Sequence, residues 1–576
     1  MSLGTTTFQG IDYSVLAWNG EDLGRVVAID TETEVVPFHL TPEVSTIQVF
    51  AGGDEVYYVP VKELQAFLDL HEKSILVMHN APFDMDVLEK SVGNRKWLYG
   101  KYDQGLVRDT AILYRLWHLG HIGFIPKKWN LNMLSTQFLG EALNKEGDER
   151  TNFAQFIGKD LSDIPQSYLE YGANDVIATF LLYQRLIGMI MPMDKKGTLL
   201  THDIQVKGDI ALNHIRKNGI GFNLEERDTW LQNLEAELEI EKNILATWGW
   251  VRGQKGIKDR YKLIMERLGI LDLLPKTSDG SVSQKSEDLE FFREKPFVKS
   301  YLRFMELEKA ASFVTKIESN RVHSRYNVLV NTGRTSCSSP NFQQLPKFGG
   351  IRELFQSKEG FSFIITDYSA IELATLSQVT YNRYGASVMR DKINEGQDLH
   401  KYYASVMHGC DISKVSKQQR QEAKAANFGF PGGLGVQTFI EFSKGYGLEL
   451  TESVAREMKA TWLNAFPEIR EYMKDEVGYV YTETGRKRAN TTYCAEKNTP
   501  FQGLAADGAK IAMYELDKMG FKVVGFVHDE ILCEVRDCEV EESKILMEKI
   551  MIDSMKSVVP DVKIGVESMV SKFYTK

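Results

Sequence analysis

The chain has 576 residues, 43% of them hydrophobic and 26% charged, with a formal net charge of −10. That length exceeds what one hydrophobic core usually supports, so two or more domains are expected, and the composition is that of an ordinary globular protein rather than a disordered or fibrous one. No stretch approaches the ~20 apolar residues of a membrane span, the amino terminus lacks a secretory pattern, and five scattered cysteines without metal-type spacing fit a reducing cytoplasm.

Residues 1–195 alternate apolar strands at Val26–Ile29, Thr46–Phe50 and Ile75–Met78 with helix-like stretches, the pattern of an α/β domain. Asp30 and Glu32 follow the first strand. Residues two apart on a strand point to one face, so these two carboxylates are presented together. Asp84 comes after the third strand, and Tyr171 and Asp175 stand four apart where a helical pattern opens. An Asp-x-Glu alone says little; three acidic elements with this tyrosine spacing say much more. Asp109 reads as a structural hydrogen-bonding acid. Nothing is drawn from the opening Met1-Ser2-Leu3.

Pro192–Gly197 reads as a linker, and a long helical region follows. Leu231, Leu234, Leu238 and Leu245 fall near helical spacing between charged neighbours, which suits an amphipathic packing helix. Further on, Phe361–Tyr368 is an apolar strand carrying Asp367 near its end. Arg420, Lys424 and Phe428 recur every fourth residue and share one helical face, where two cations and an aromatic suit a triphosphate and a base better than a core. Phe521–Val535 has two apolar runs joined at His528-Asp529-Glu530, the pattern of a β-hairpin with acids at its turn. An acid at a strand end beside an acid at a hairpin turn can hold two divalent metals about 3.5–4 Å apart for phosphoryl chemistry. Either motif alone is equally consistent with ordinary turn carboxylates. The negative total charge does not exclude nucleic acid, because local charge neutralises phosphates and Lys414–Lys424, Arg486–Arg488 and Lys127–Lys128 are locally basic.

Read together, Asp367–Leu373 (DYSAIEL), Arg420–Phe430 (RQEAKAANFGF) and Val527–Glu530 (VHDE) resemble the ordered motifs of family A, polymerase I-type DNA polymerases. Thr332-Gly333-Arg334, Pro340–Gln343, Thr484-Gly485-Arg486 and Phe501-Gln502-Gly503 extend the resemblance over roughly residues 200 to 576. The amino-terminal acids and Tyr171 resemble the DEDD-type 3′–5′ exonucleases in their tyrosine variant. The resemblance implies an α/β and α+β multidomain chain, with a ribonuclease H-like 3′–5′ exonuclease domain at 1–195 followed by a right-hand polymerase domain at 196–576. Its thumb would span 196–320, its palm 321–375 and 486–576, and its fingers 376–485. No room is left for a 5′-nuclease domain.

The implied roles are as follows. Asp30, Glu32, Asp84 and Asp175 would hold two Mg²⁺, with Tyr171 positioning the attacking water. Asp367 and Asp529 would bridge a second pair of Mg²⁺ (Mn²⁺ being a possible substitute), with Glu530 a nearby acid and His528 at the primer terminus. Arg420 and Lys424 would grip the triphosphate of a deoxynucleotide, Phe428 would stack on its base and Glu372 would exclude a ribose 2′-hydroxyl. Arg334, Gln343, Asn498 and Gln502 would line the minor groove of primer–template DNA. A monomer working in the cytoplasm is expected. The abbreviated arrangement is more similar to bacteriophage replicative polymerases than to bacterial repair enzymes. Against a catalytically dead scaffold or subunit stand the intact acids; against an RNA polymerase stand Glu372 and the exonuclease module. The chain departs from the family at Gly432, where a tyrosine is common, and at Ala370 and Ala374; Pro431 should end the nucleotide-binding helix near Phe430.

Overall fold

The computed structural model describes residues 1–143, 151–277, 280–346, 349–474 and 477–575. Seven strands form the amino-terminal sheet: β1 (Ser2–Phe8), β2 (Ile11–Ala17), β3 (Val26–Thr33), β4 (Val44–Phe50), β5 (Glu55–Tyr58), β6 (Ile75–Met78) and β7 (Val107–Asp109). Their order across the sheet is β1-β2-β5-β4-β3-β6-β7. The β1–β2 hairpin was not foreseen; the opening residues begin its first strand. Helices α1 (Ala81–Val92), α2 (Thr110–His121) and α3 (Gln166–Ile190) pack on this sheet. Asp109 caps α2 by accepting the Ala111 and Ile112 amides, the structural role expected of it.

Helix α3 is a second surprise. With its short extension, Gln166–Met193, it is long and apolar enough to cross a membrane by composition. Here it is the central packing helix of the amino-terminal domain, touching β1, β3, β4 and α2. Gly172 lets it approach: a Cβ there would lie 2.6 Å from Gln48 Nε2 and 2.8 Å from the Tyr58 hydroxyl.

Helix α4 (Leu200–Asn218) follows the linker, then α5 (Leu224–Thr247) and α6 (Pro296–Val314) pair as a separate lobe. Leu234, Leu238 and Leu245 of α5 are buried, as their spacing predicts. Beyond them come β8 (Phe361–Tyr368), α7 (Ile371–Tyr384), α8 (Leu399–His408), α9 (Lys417–Gly429) and α10 (Tyr493–Lys518), then β9 (Val523–Val527), β10 (Glu530–Arg536), α11 (Val540–Lys556) and β11 (Val566–Ser571). Strands β9-β10-β8-β11 make one antiparallel sheet. Alternation along β8 sends Phe363 and Ile365 into a core shared with the α5–α6 lobe, and Ile364 into the core shared with α10 and the exonuclease domain. Both faces are covered, which is why the strand reads as a continuous apolar run. Within residues 196–320 the lobe core begins at Ile220, whereas α4 packs against α10 and α1.

The amino-terminal domain and the rest of the chain meet through buried charge. His214 of α4 sits between Asp86 of α1, with Nε2 2.8 Å from Oδ1, and Asp517 of α10, with Nδ1 2.6 Å from Oδ2. Both partners only accept hydrogen bonds, so both ring nitrogens must donate and the ring is an imidazolium. Burial by itself would lower its pKa; the two carboxylates overcome that and raise it to about 10. Lys217 also pairs with Asp86, and the Tyr99 hydroxyl donates to Asp517 at 2.7 Å. Replacing His214 by Gln is expected to destabilise the chain by on the order of 3 kcal/mol, because two buried carboxylates lose their shared cation. A raised folded pKa stabilises fully below the unfolded value of 6.5 and ceases to do so as pH climbs through about 10. The melting-temperature gap between wild type and His214→Gln should therefore be widest below pH 6.5 and close toward pH 10.

Candidate active sites

In the exonuclease domain, β3 carries Asp30 and Glu32 and α3 carries Asp175 and, one turn earlier, Tyr171. One ligand atom from each of Asp30, Glu32 and Asp175 lies within 4.8 Å of the others. An all-carboxylate donor set of this kind suits a hard divalent cation such as Mg²⁺. Asp84 faces Thr31, the residue between the two strand acids, and its Oδ1 accepts the Thr31 amide at 3.0 Å and hydroxyl at 2.7 Å. Burial pushes the Asp84 carboxyl up to about 7 against those hydrogen bonds.

In the palm sheet, Asp367 of β8 is directly opposite Glu530 of β10, and Val527 pairs with Glu530 across the two-residue turn His528-Asp529. The turn is tight, with His528 at φ +62°, and it brings Asp529 to the same end of the sheet as Asp367. Glu530 is buried and accepts the Tyr574 hydroxyl at 2.8 Å. On the other side of β8, Asp367 is opposite Glu567 of β11, an acid the sequence reading missed.

A cavity of about 510 Å³ opens beside these acids, lined by Arg420, Lys424 and Phe428 of α9 together with Ala370, Ala374 and His400. The shared helical face read from the sequence thus lines one cavity. Helix α9 is started by Ser416 and Gln419 in a reciprocal cap and ends at Gly429, followed by a 3₁₀ turn at Phe430–Gly432, so Pro431 does close it as expected. Arg420 is aimed by Asp398, whose Oδ2 accepts its Nε at 2.8 Å.

His400 was missed, and its signal was the Asp398-Leu399-His400 start of α8, where Asp398 caps the helix. The Trp462 indole donates to Asn427 Oδ1 at 2.8 Å, which orients that amide so that its Nδ2 donates to His400 Nδ1 at 3.0 Å. The proton of the neutral ring therefore sits on Nε2. Burial drives the His400 pKa down to about 4, with Arg420 and Lys424 adding to the effect and Asp398 opposing it.

Residues 232–576 match the family described as DNA polymerase family A, and residues 15–190 match the 3′–5′ exonuclease domain. The chain belongs to DNA polymerase family A. It is a template-directed DNA polymerase with a 3′–5′ exonuclease domain ahead of the polymerase domain. It is 28% identical to DNA polymerase I of Aquifex aeolicus (strain VF5), over 91% of this chain and 93% of that one. It is 28% identical to the thermostable DNA polymerase I of Thermus filiformis over 68% of this chain, and spans 50% of that relative's length. With DNA polymerase I of Borreliella burgdorferi the identity is 24%, over 92% of this chain and 60% of that one. The fold is similar to the polymerase domain of Pol1 from M. smegmatis, solved with DNA primer-template and dNTP, at a TM-score of 0.73, 20% identity and 95% coverage of both chains. These relatives are bacterial and lend no support to the expected bacteriophage likeness.

Against the family pattern, Gly432 is filled from the palm side. A Cβ at position 432 would lie 2.7 Å from Asn498 Nδ2, which donates to Gly432 O at 3.3 Å and to Cys494 O at 2.9 Å. Gln502, one turn on, donates to Asn498 Oδ1 at 3.4 Å. Gln343 is held by Thr335 Oγ1 at 2.8 Å, and Arg334 forms an ion pair with Glu372. Asn498 and Gln502 thus stand together on α10, while Arg334 and Gln343 are engaged within the protein. Gly432→Ala is expected to dislodge the Asn498 amide and lower the melting temperature about as much as Asn498→Ala does. Because both changes break the same Asn498–Gly432 contact, the double variant should melt no lower than the less stable single one.

Proposed function

We propose that this chain extends the 3′ end of a primer by in-line phosphoryl transfer at Asp367 and Asp529, with two Mg²⁺ in each active site, and that Asp30, Glu32, Asp84 and Asp175 serve the removal of mispaired ends. The observation that supports the reading is the register that sets Asp367 opposite Glu530 and Glu567, with Glu567 lining the same cavity as Arg420, Lys424 and Phe428. Divalent cations bound at such carboxylates neutralise phosphate charge and lower the pKa of an attacking hydroxyl or water.

The chain's own residues do the rest. Lys424 meets the triphosphate as a point charge and Arg420 as a fork pre-set by Asp398. The Nε2–H of neutral His400 donates to the same phosphates without adding a further positive charge to the pocket. Phe428 stacks on the incoming base, with its ring 5.5 Å from that of His400. Glu372, held against Arg334, fills the space a 2′-hydroxyl needs, so selection of the sugar is by exclusion. His528 meets the primer terminus from its strained turn. In the other site Tyr171 positions the attacking water beside Asp175.

Primer extension with deoxynucleotides and Mg²⁺ tests the reading. Asp367→Asn or Asp529→Asn should lower the single-turnover rate by about three orders of magnitude or more, on the order of 4 kcal/mol, with DNA binding retained. Near-normal incorporation by either variant would exclude the assignment. Asp30→Ala combined with Glu32→Ala should stop digestion of a labelled single strand and leave extension intact; unchanged digestion would place the exonuclease chemistry elsewhere.

A further inference from the structure

Lys510 lies in neither active site. It is fully buried in the middle of α10, and its Nζ donates to Gly333 O at 2.6 Å and to Gln205 Oε1 of α4 at 2.5 Å. The Gly333 carbonyl belongs to the peptide plane that also holds the Arg334 nitrogen, so a clamp on that oxygen fixes where the Arg334 side chain begins. Arg334 in turn pairs with Glu372.

The surrounding contacts act on the same turn. Gly333 N donates to Val330 O at 2.8 Å and Val330 N donates to Arg334 O at 2.9 Å, which closes the loop on itself. Gly333 adopts φ +93°, and a Cβ there would stand 2.2 Å from Arg486 Nη2. Arg486 is anchored by Asp507, with Nη1 2.7 Å from Oδ1, and the same oxygen accepts Gln205 Nε2 at 3.1 Å. The exonuclease domain grips the approach to the turn as well: Arg115 Nη1 donates to Asn327 Oδ1 at 2.8 Å and the Ile125 amide to Asn331 Oδ1 at 2.7 Å.

We propose that Lys510 is a positioning residue for nucleotide selection: by clamping the Gly333 carbonyl it aims Arg334 at Glu372 and sets the clearance beside the sugar of the incoming nucleotide. The inference rests on the reading of Glu372 as the gate against ribose. A displacement of that pair by a fraction of an ångström is enough to change how tightly a correct sugar is held, because the gate works by contact distance.

The test uses the full chain carrying Asp30→Ala and Glu32→Ala, so that proofreading does not erase misincorporated ribonucleotides. Lys510→Met keeps length and apolar volume and removes the clamp; Gln205→Met leaves the clamp and removes the brace behind it together with the Gln205 hydrogen bond to Asp507. Single-nucleotide insertion kinetics with deoxy- and ribonucleotides should show Lys510→Met raising the deoxynucleotide KM and lowering the deoxy-over-ribo preference, each about tenfold, with kcat within about twofold. Gln205→Met should move both in the same direction by less, and it decides the matter if Lys510→Met does not fold. A lysine that only held the core together would lower the melting temperature or scale kcat down while leaving KM and the sugar preference as they were, and that result overturns the proposal. Glu372→Ala, measured in parallel, separates the two readings. Relaxed preference in Glu372→Ala with none in Lys510→Met or Gln205→Met leaves the gate standing and removes Lys510 from it. Relaxed preference in the Lys510 variant with none in Glu372→Ala removes Glu372 as the gate and overturns the proposal that Lys510 acts through the Arg334–Glu372 pair.

Discussion

A buried charge must find a partner, and helix α10 carries several of them through the centre of the molecule. Asp507 is shared by Arg486, Gln205 and Thr484; Lys510 reaches Gly333 and Gln205; Asp517 is held by His214 and Tyr99. These links join α10 to α4, to the Gly333 turn, to the stretch holding Thr484 and Arg486, and to Tyr99 of the amino-terminal domain. The first half of the same helix presents Asn498 and Gln502 beside the end of α9, and its last turns face the exonuclease domain. Leaving any of these charges unpaired would cost several kcal/mol, so the relative placement of the segments is set far more firmly than apolar packing alone would set it.

The palm sheet supplies the second constraint. Strand β8 is covered on both faces, so a slip of one residue would bring each apolar side chain to the wrong core and would carry Asp367 away from Glu530. The register thus fixes both the burial of the strand and the meeting of its acids. Tyr574, close to the carboxyl terminus, then fixes Glu530 by a hydrogen bond, and burial followed by that carboxylate raises the phenol's pKa far above its ordinary value.

The two sites divide their charges differently. In the exonuclease site three acids converge while Asp84 leans on Thr31, and burial raises its pKa toward neutrality. Around the cavity the cations Arg420 and Lys424 are joined by a histidine that its burial, and then their charge, keep neutral. A cavity lined by two cations thus gains a third hydrogen-bond donor without a third full charge to repel them.

Periodicity and residue type were enough to find β8, the His528-Asp529 turn, the single face of Arg420, Lys424 and Phe428, the end of α9 at Pro431 and the paired acids on β3. All of these depend on neighbours within a few residues, where side-chain alternation, helical spacing and proline geometry act locally. What only the tertiary structure decided was which distant groups meet. His400 lines the cavity where Asn427, oriented by Trp462, donates to it; Glu567 arrives opposite Asp367 from the last strand; Asp84 reaches Thr31 between the two strand acids. The opening hairpin was illegible because its strands mix glycine, threonine and charge, and α3 resembled an ordinary apolar stretch until both sheet and helices were in place around it. Asn498 filling the space over Gly432, and Lys510 under Gly333, depend on backbone approach distances that no pattern of residue types encodes. Local rules named the parts, and long-range burial of charge determined how they are held against one another.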